Sequence, residues 1–229
     1  ATVIAVHNPT GTQYGALTNV DGRYNIQGMR TGGPYTITVS YVGYQAVELT
    51  DITLSLGEPR TFDVSLKEST EIDAVVVVST ANDRFNANKT GAAVNFSRGV
   101  IENVPTIDRS IADVARLSPL ASSTKSSTGG ISFAGANNRY NSFQIDGTVS
   151  NDVFGLTSSG TNGGQTSTNP ISMETIEEIQ VVIAPYDVRQ SGFTGGGINA
   201  VTKSGTNSFR GSAYTYFRNN NLVGKGASG

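Results

Sequence analysis

Apolar and polar positions alternate in short runs over the first third of the chain. Val3 and Ala5 share one face, and a second run reaches Leu17 after a turn at Asn8-Pro9. Asn19-Val20-Asp21-Gly22 is a turn signal, because Asp-Gly suits the positive φ angles of a tight hairpin. Tyr24-Asn25-Ile26 alternates next, and Gly32-Gly33-Pro34 makes another turn. Tyr35, Ile37 and Val39 oppose Thr36, Thr38 and Ser40 with period two. Gly43 interrupts the pattern, and Tyr44–Leu49, then Ile52, Leu54 and Leu56, then Phe62, Val64 and Leu66 resume it. Short strands at this spacing predict a small β-sandwich over residues 1–68.

Residues 69–80 are a junction with polar flanks around Val75-Val76-Val77-Val78, a run of high β propensity. Residues 81–206 have a different texture. Ile107 to Leu117 has helical spacing, with Ile111, Val114 and Leu117 on one face, Asp108 as N-cap and Pro119 as stop. Met173 to Glu178 reads as a short helix, Ile179 to Ala184 as a buried strand, and Ile198 to Thr202 as another strand. Residues 121–130 and 155–169 read as Gly/Ser/Thr/Asn-rich loops. Alternation returns over 207–219, where Phe209, Gly211, Ala213, Thr215 and Phe217 form the apolar or small face, the pattern of an outer-membrane barrel strand. Residues 220–229 read as a tail or truncated loop. The fold class expected is mainly β, with an α+β second domain.

Composition changes the picture in one respect. Gly, Ser, Thr and Asn supply 96 of the 229 residues, while hydrophobic residues make up 37% and charged residues 15%. The chain is short of both core formers and charge relative to an ordinary domain with about 25% charged residues. A net charge of −2 and a pI near 5.4 give no basic excess for nucleic acid. With no Cys and a single His, His7, thiolate and multi-histidine metal sites are excluded, so no metal or cofactor is expected. The longest purely apolar run, Ala74–Val78, is far short of the roughly 20 residues of a spanning helix.

Catalytic constellations are equally sparse. Glu177 and Glu178 are adjacent, so on a strand they point to opposite faces and cannot converge on one bond. They are expected on a surface facing barrel arginines. The glycine clusters lack the Lys-Ser/Thr of a phosphate loop. The chain is not expected to be an enzyme.

Two resemblances add to this reading. Thr18-Asn19-Val20-Asp21-Gly22-Arg23-Tyr24, Gly33-Pro34-Tyr35-Thr36-Ile37-Thr38-Val39 and Tyr41-Val42-Gly43-Tyr44 resemble the carboxypeptidase-regulatory-like domain. That resemblance implies a prealbumin-like sandwich of about seven strands, here lacking the first, with no peptidase activity. In the second half, Ile101–Ile111, Arg116-Leu117-Ser118-Pro119, Gly135–Asn141 with Ile145-Asp146-Gly147, Ile176–Val182 and Gly195–Lys203 are similar, in order and spacing, to the plug of a TonB-dependent outer-membrane receptor in the Oar-like style of Bacteroidetes. Gly211 to Asn219 is similar to the first strand of its barrel. The chain departs from the family at Phe133-Ala134-Gly135, where many plugs carry Ile-Arg-Gly. Arg109, Arg116 and Arg139 are the alternatives for an arginine that locks the plug to a barrel.

The receptor resemblance implies a plug over 81–206 that occludes a barrel and is displaced by energised TonB to admit a substrate, with the sandwich and linker in the periplasm of a Gram-negative bacterium. Ile72, Asp73, Ala74, Val75, Val76, Val77, Val78 and Ser79 resemble the TonB box, the segment that adds a strand to the TonB C-terminal domain. An ordinary buried strand of a flanking domain is the plainer alternative for these residues. Arg139, Tyr140, Asn141 and Asp146 are the candidates for a ligand-facing plug loop, although Asp-Gly is first a turn signal. The barrel belongs either to this chain or to another, the resemblance leaves open a surface lipoprotein lid, and the imported substrate is not legible. A glycan-binding or adhesion module, or a soluble plug gating another chain's pore, are the competing functions.

Overall fold

The computed structural model describes residues 1–68, 76–79, 92–106, 109–123, 130–157, 159–166, 168–183 and 190–206, with 209, 211, 213 and 215 singly. Most of the expected barrel strand over 207–219, and the helix start at Ile107 and Asp108, lie outside the described residues. None of the described helices is long and apolar enough to cross a membrane.

The alternation of the first third becomes β1 (Thr2–His7), β2 (Thr12–Leu17), β3 (Gly32–Ser40) and β4 (Val47–Leu54). β1 lies between β2 and β3, and β4 follows β3, all antiparallel. Val3, Ala5, Tyr35, Ile37, Val39, Val47, Leu49 and Ile52 point to one buried face. The two runs expected at 44–49 and 52–56 are one strand. Asp51, at φ 59°, inserts an extra residue opposite Tyr35–Ile37, so Leu49 and Ile52 both face inward despite their odd separation. The strands expected at Tyr24–Ile26 and Phe62–Leu66 form no ladder. Their apolar side chains still pack on this core, and the Tyr24 hydroxyl donates to the Phe62 carbonyl at 3.1 Å. The second layer is therefore held by side-chain burial rather than by a second hydrogen-bonded sheet. A fifth strand, β5 (Val76–Ser79), joins the edge of the sheet parallel to β4.

A separate core begins at β6 (Ala92–Ser97), followed by α1 (Arg98–Asn103), α2 (Ile111–Ala115), β7 (Ala121–Ser123), β8 (Ile131–Phe133), β9 (Ser142–Ile145), β10 (Thr148–Val149), β11 (Ile176–Ile183) and β12 (Gly196–Thr202). The sheet order is β10-β9-β12-β11-β6, and β7 pairs with β8 apart from it. Phe96, Ile101, Ile111, Val114, Phe133, Phe143, Ile179, Val181 and Ala200 are buried together. Several expectations are corrected here. Helix α2 is capped by Ser110, whose side chain accepts from the Ala112 amide, and Leu117 is exposed rather than on the buried face. Helix α1 was not anticipated, although Arg98 and Glu102 pair across one turn at 2.6 Å. The short helix expected at 173–178 is a 3₁₀ turn over Met173–Thr175, and Ile176–Glu178 already belong to β11 because their side chains fill the sheet.

The hydrogen bonds described between the two cores centre on one peptide group. β11 is buried on both faces: Ile179, Val181 and Ile183 point into their own core, and Glu178 and Gln180 point towards the first domain. The Leu56 N–H donates to the Glu178 carboxylate at 3.1 and 3.3 Å. The Leu56 carbonyl accepts from Gln180 Nε2 at 2.7 Å and Asn95 Nδ2 at 3.2 Å, and Asn95 also donates to Glu58 at 2.9 Å. Glu178 thus faces the loop after β4 instead of barrel arginines. Buried polar groups need such partners, and here each domain supplies the other's.

Two substitutions test this packing. An alanine Cβ at Gly196 would overlap the buried ring of Phe133, so Gly196→Ala is expected to lower stability by about 1–3 kcal/mol in urea denaturation. His7 is buried, 2.7 Å from the Thr10 hydroxyl and stacked at 4.7 Å on Tyr35. Burial, helped by Arg30 and opposed by Glu177, holds its pKa below the ordinary 6.5. The unfolded chain therefore takes up the proton first as pH falls, so the contribution of His7 to stability is present above 6.5 and lost through the lower folded value. Comparing urea midpoints at successive pH values should show this loss in the parent and a flatter profile in His7→Gln.

Candidate functional site

The candidate site is the strand between the two cores. β5 is built from three consecutive valines, whose β-branched side chains suit an extended ladder, and Ser79. Its register with β4 is Val47 with Val76, Glu48 with Val77, Leu49 with Val78, and Thr50 with Ser79. A parallel neighbour requires a crossover connection, and the stretch from Leu54 to Val76 supplies one, passing through Phe62, Val64 and Leu66 on the core. β5 ends the sheet order, so among the described residues no strand pairs with its outer edge. An open edge of this kind is a template for a further strand. Of the eight residues expected to act together, Val76, Val77, Val78 and Ser79 are in this strand, and Ile72, Asp73, Ala74 and Val75 lie outside the described residues.

The four residues expected in one plug loop are divided. Arg139 and Tyr140 lie in an exposed 3₁₀ turn over Asn138–Tyr140. Asn141, next in sequence, faces inward: its Nδ2 donates to the Ile131 carbonyl at 2.7 Å and its Oδ1 accepts from the Gly196 amide at 2.9 Å. Asp146 is at the other end of β9, five residues and about 16 Å of extended chain away at ~3.3 Å per residue. Its carboxylate accepts from the Thr202 amide and hydroxyl, both at 2.8 Å, which ties the β9–β10 turn to the end of β12. Asn141 and Asp146 therefore clamp the two ends of the β9–β12 pairing; Asn141 is turned inward, while Arg139, Tyr140 and Asp146 are exposed. Of the arginines considered for a lock to the barrel, Arg109 pairs with Glu174 and is half-buried, Arg116 pairs with Asp113 at 3.1 Å but is exposed, and Arg139 is exposed.

Asp146 opens on a cleft of about 1150 Å³ between the two domains, rimmed by His7, Arg30, Arg98, Glu102 and Lys203. Charges of both signs alternate around it, and the Arg98–Glu102 pair lowers the Glu102 pKa by direct hydrogen bonding. No cluster of three or more His, Cys, Asp or Glu suited to a metal ion occurs among the described residues. The sequence missed the Leu56 junction, because Glu178 and Gln180 read as ordinary polar positions until the loop after β4 is placed over them.

Residues 1–67 match the carboxypeptidase regulatory-like domain family. The chain is 27% identical over 218 residues to the TonB-dependent transporter Oar of Myxococcus xanthus, covering 91% of this chain and 19% of that protein. Among solved structures, the outer membrane transporter YddB from Escherichia coli is similar over 49% of this chain and 17% of its own, with 17% identity and a TM-score of 0.41. The siderophore receptor PirA from Acinetobacter baumannii is similar over 50% of this chain and 18% of its own, with 25% identity and a TM-score of 0.39. The chain spans about a fifth of the length of these proteins, which are transporters and receptors rather than enzymes. Residues 1–67 match the carboxypeptidase regulatory-like domain, and nearly the whole chain is similar to part of a TonB-dependent transporter.

Proposed function

We propose that this chain is the N-terminal part of a TonB-dependent outer-membrane transporter. Residues 1–68 form a periplasmic β-sandwich, 69–80 a linker carrying the TonB box, 81–206 a plug that occludes a barrel, and 207–219 the first strand of that barrel. Energised TonB takes hold of Ile72–Ser79 by strand addition and displaces the plug, which admits a substrate. Of Arg139, Tyr140, Asn141 and Asp146, the exposed Arg139, Tyr140 and Asp146 are the plug residues offered to that substrate.

The observation that carries this reading is the reach of the similarity to Oar. At 91% of the chain it extends beyond residues 1–67, so the accessory domain alone does not account for it. The composition supports the same reading. A body enclosed by the polar lumen of a barrel needs less apolar surface than a free domain, which suits a chain with 37% hydrophobic residues and loops rich in Gly, Ser, Thr and Asn. The valine run is also suited to the task, since strand addition draws affinity from the backbone and places few demands on side chains.

A synthetic peptide spanning Ile72–Ser79 tests the proposal by calorimetric titration against the TonB C-terminal domain of the source bacterium. The peptide is expected to bind, and its Val77→Pro form, which loses a backbone donor, is expected to bind at least about tenfold more weakly. Absence of binding by the parent peptide, or equal binding by the proline form, overturns the assignment.

A further inference from the structure

The first domain pairs with the very residues that the proposed function assigns to TonB. We infer that β4 holds Val76–Ser79 as the fifth strand of the first domain's sheet, and that a strand-adding partner must take the segment away from β4 to bind it. This rests on the reading of residues 72–79 as the TonB-binding segment, and adds a regulatory role for the carboxypeptidase regulatory-like domain.

Three features of the structure favour exchange over simple addition to the outer edge. The first is the ladder itself. β5 meets β4 at four register pairs, the fewest of any pairing in that sheet: β1 meets β2 and β3 at six each, and β3 meets β4 at five. It is also the sheet's only parallel pairing among the described residues, the slightly less stable kind. The second is length. The described strand Val76–Ser79 has four residues, short of the about five or six of an average strand, so a partner ladder of ordinary length exceeds the one it replaces. The third is the direction of load. While β5 remains in the sheet, a pull on it passes into β4 and then, two residues beyond that strand, into Leu56 and its hydrogen bonds to Glu178, Gln180 and Asn95. The first domain would share the load. The short parallel ladder is the link that yields first, and its release delivers the pull along the chain to β6.

The docked state lowers the affinity seen by the partner. Apparent affinity scales with the fraction of molecules in which the segment is released. The domain thus sets a threshold for engagement, and any event that loosens the β4–β5 edge raises affinity without changing the segment.

The absence of cysteine allows a direct test. Glu48 and Val77 are register partners, and Glu48 lies outside the buried core, so Glu48→Cys with Val77→Cys places a single disulfide across the ladder. Binding of the TonB C-terminal domain is measured by calorimetry with the whole chain in oxidised and reduced forms, and with oxidised Val77→Cys alone as control. The disulfide is expected to form readily, and the oxidised double variant to bind at least about tenfold more weakly than its reduced form, because the released fraction falls towards zero. The free 72–79 peptide should bind more tightly than the parent chain. The backbone amides of Val76–Ser79 that point to β4 should be protected from exchange in the free chain, and those of Val47–Thr50 that face β5 should lose protection when TonB binds. Equal binding by oxidised and reduced forms means that the partner adds to the outer edge, and overturns the inference. Failure of the disulfide to form, or free exchange of the amides of Val76–Ser79 that point to β4, overturns it as well. Failure of the peptide to bind TonB instead sinks the underlying assignment of the segment.

Discussion

The peptide group of Leu56 is the interaction on which the arrangement of the molecule depends. Each core has its own apolar interior, and neither shares a buried hydrophobic residue with the other. The hydrogen bonds described between them centre on one N–H and one C=O, satisfied by Glu178, Gln180 and Asn95 from two neighbouring strands, with Asn95 also bonded to Glu58. Such contacts are worth little when water can replace them and much when burial forbids it. Glu178 and Gln180 are 4% and 5% exposed, so the junction is of the second kind. Gly57, at φ 69°, turns the chain there, and a Cβ on it would come within 3.0 Å of Gln180. The loop after β4 is consequently fixed against β11.

That junction gives the position of β5 its meaning. A valine strand on an open sheet edge is ordinarily a hazard, because its unpaired backbone invites association. Here the strand lies between two cores and is paired on one side by the domain that precedes it. A segment that must bind a partner by its backbone needs to be extended, accessible and kept from indiscriminate pairing. On the proposed assignment, residence on the edge of β4 keeps the segment extended and paired on one side, with a threshold for the partner to overcome.

The second core shows how a chain with few apolar residues still reaches a defined structure. Its interior is built around β11 and β12, with Phe133, Phe143 and Ile179 among its buried side chains. Specific polar clamps hold its margins. Asn141 and Asp146 fix opposite ends of β9 against β12, and Arg109 ties the approach to α2 to Glu174 beside β11. Residues that resembled a ligand loop are in part the fasteners of the sheet. Their side chains carry the same hydrogen-bonding capacity in either role, and only the positions of Thr202, Ile131 and Gly196 decide which role they fill.

The sequence by itself determined what depends on local periodicity. Alternation placed β1, β2 and β3 and the inward faces of Val3, Ala5, Tyr35, Ile37 and Val39, because side-chain direction on a strand has period two wherever the strand pairs. It also placed Phe62, Val64 and Leu66 on the core, although it could not tell burial from ladder formation, since both produce the same alternation. The tertiary structure decided what depends on neighbours distant in sequence. It turned two runs into the single bulged strand β4, made Ser110 rather than Asp108 the cap of α2, and separated Asp146 from Arg139 by the length of β9. It also chose β4 as the partner of the valine run. High β propensity makes that run extended in any context, but a backbone edge is identical for every strand, so only the packing of the first domain selects the edge it joins.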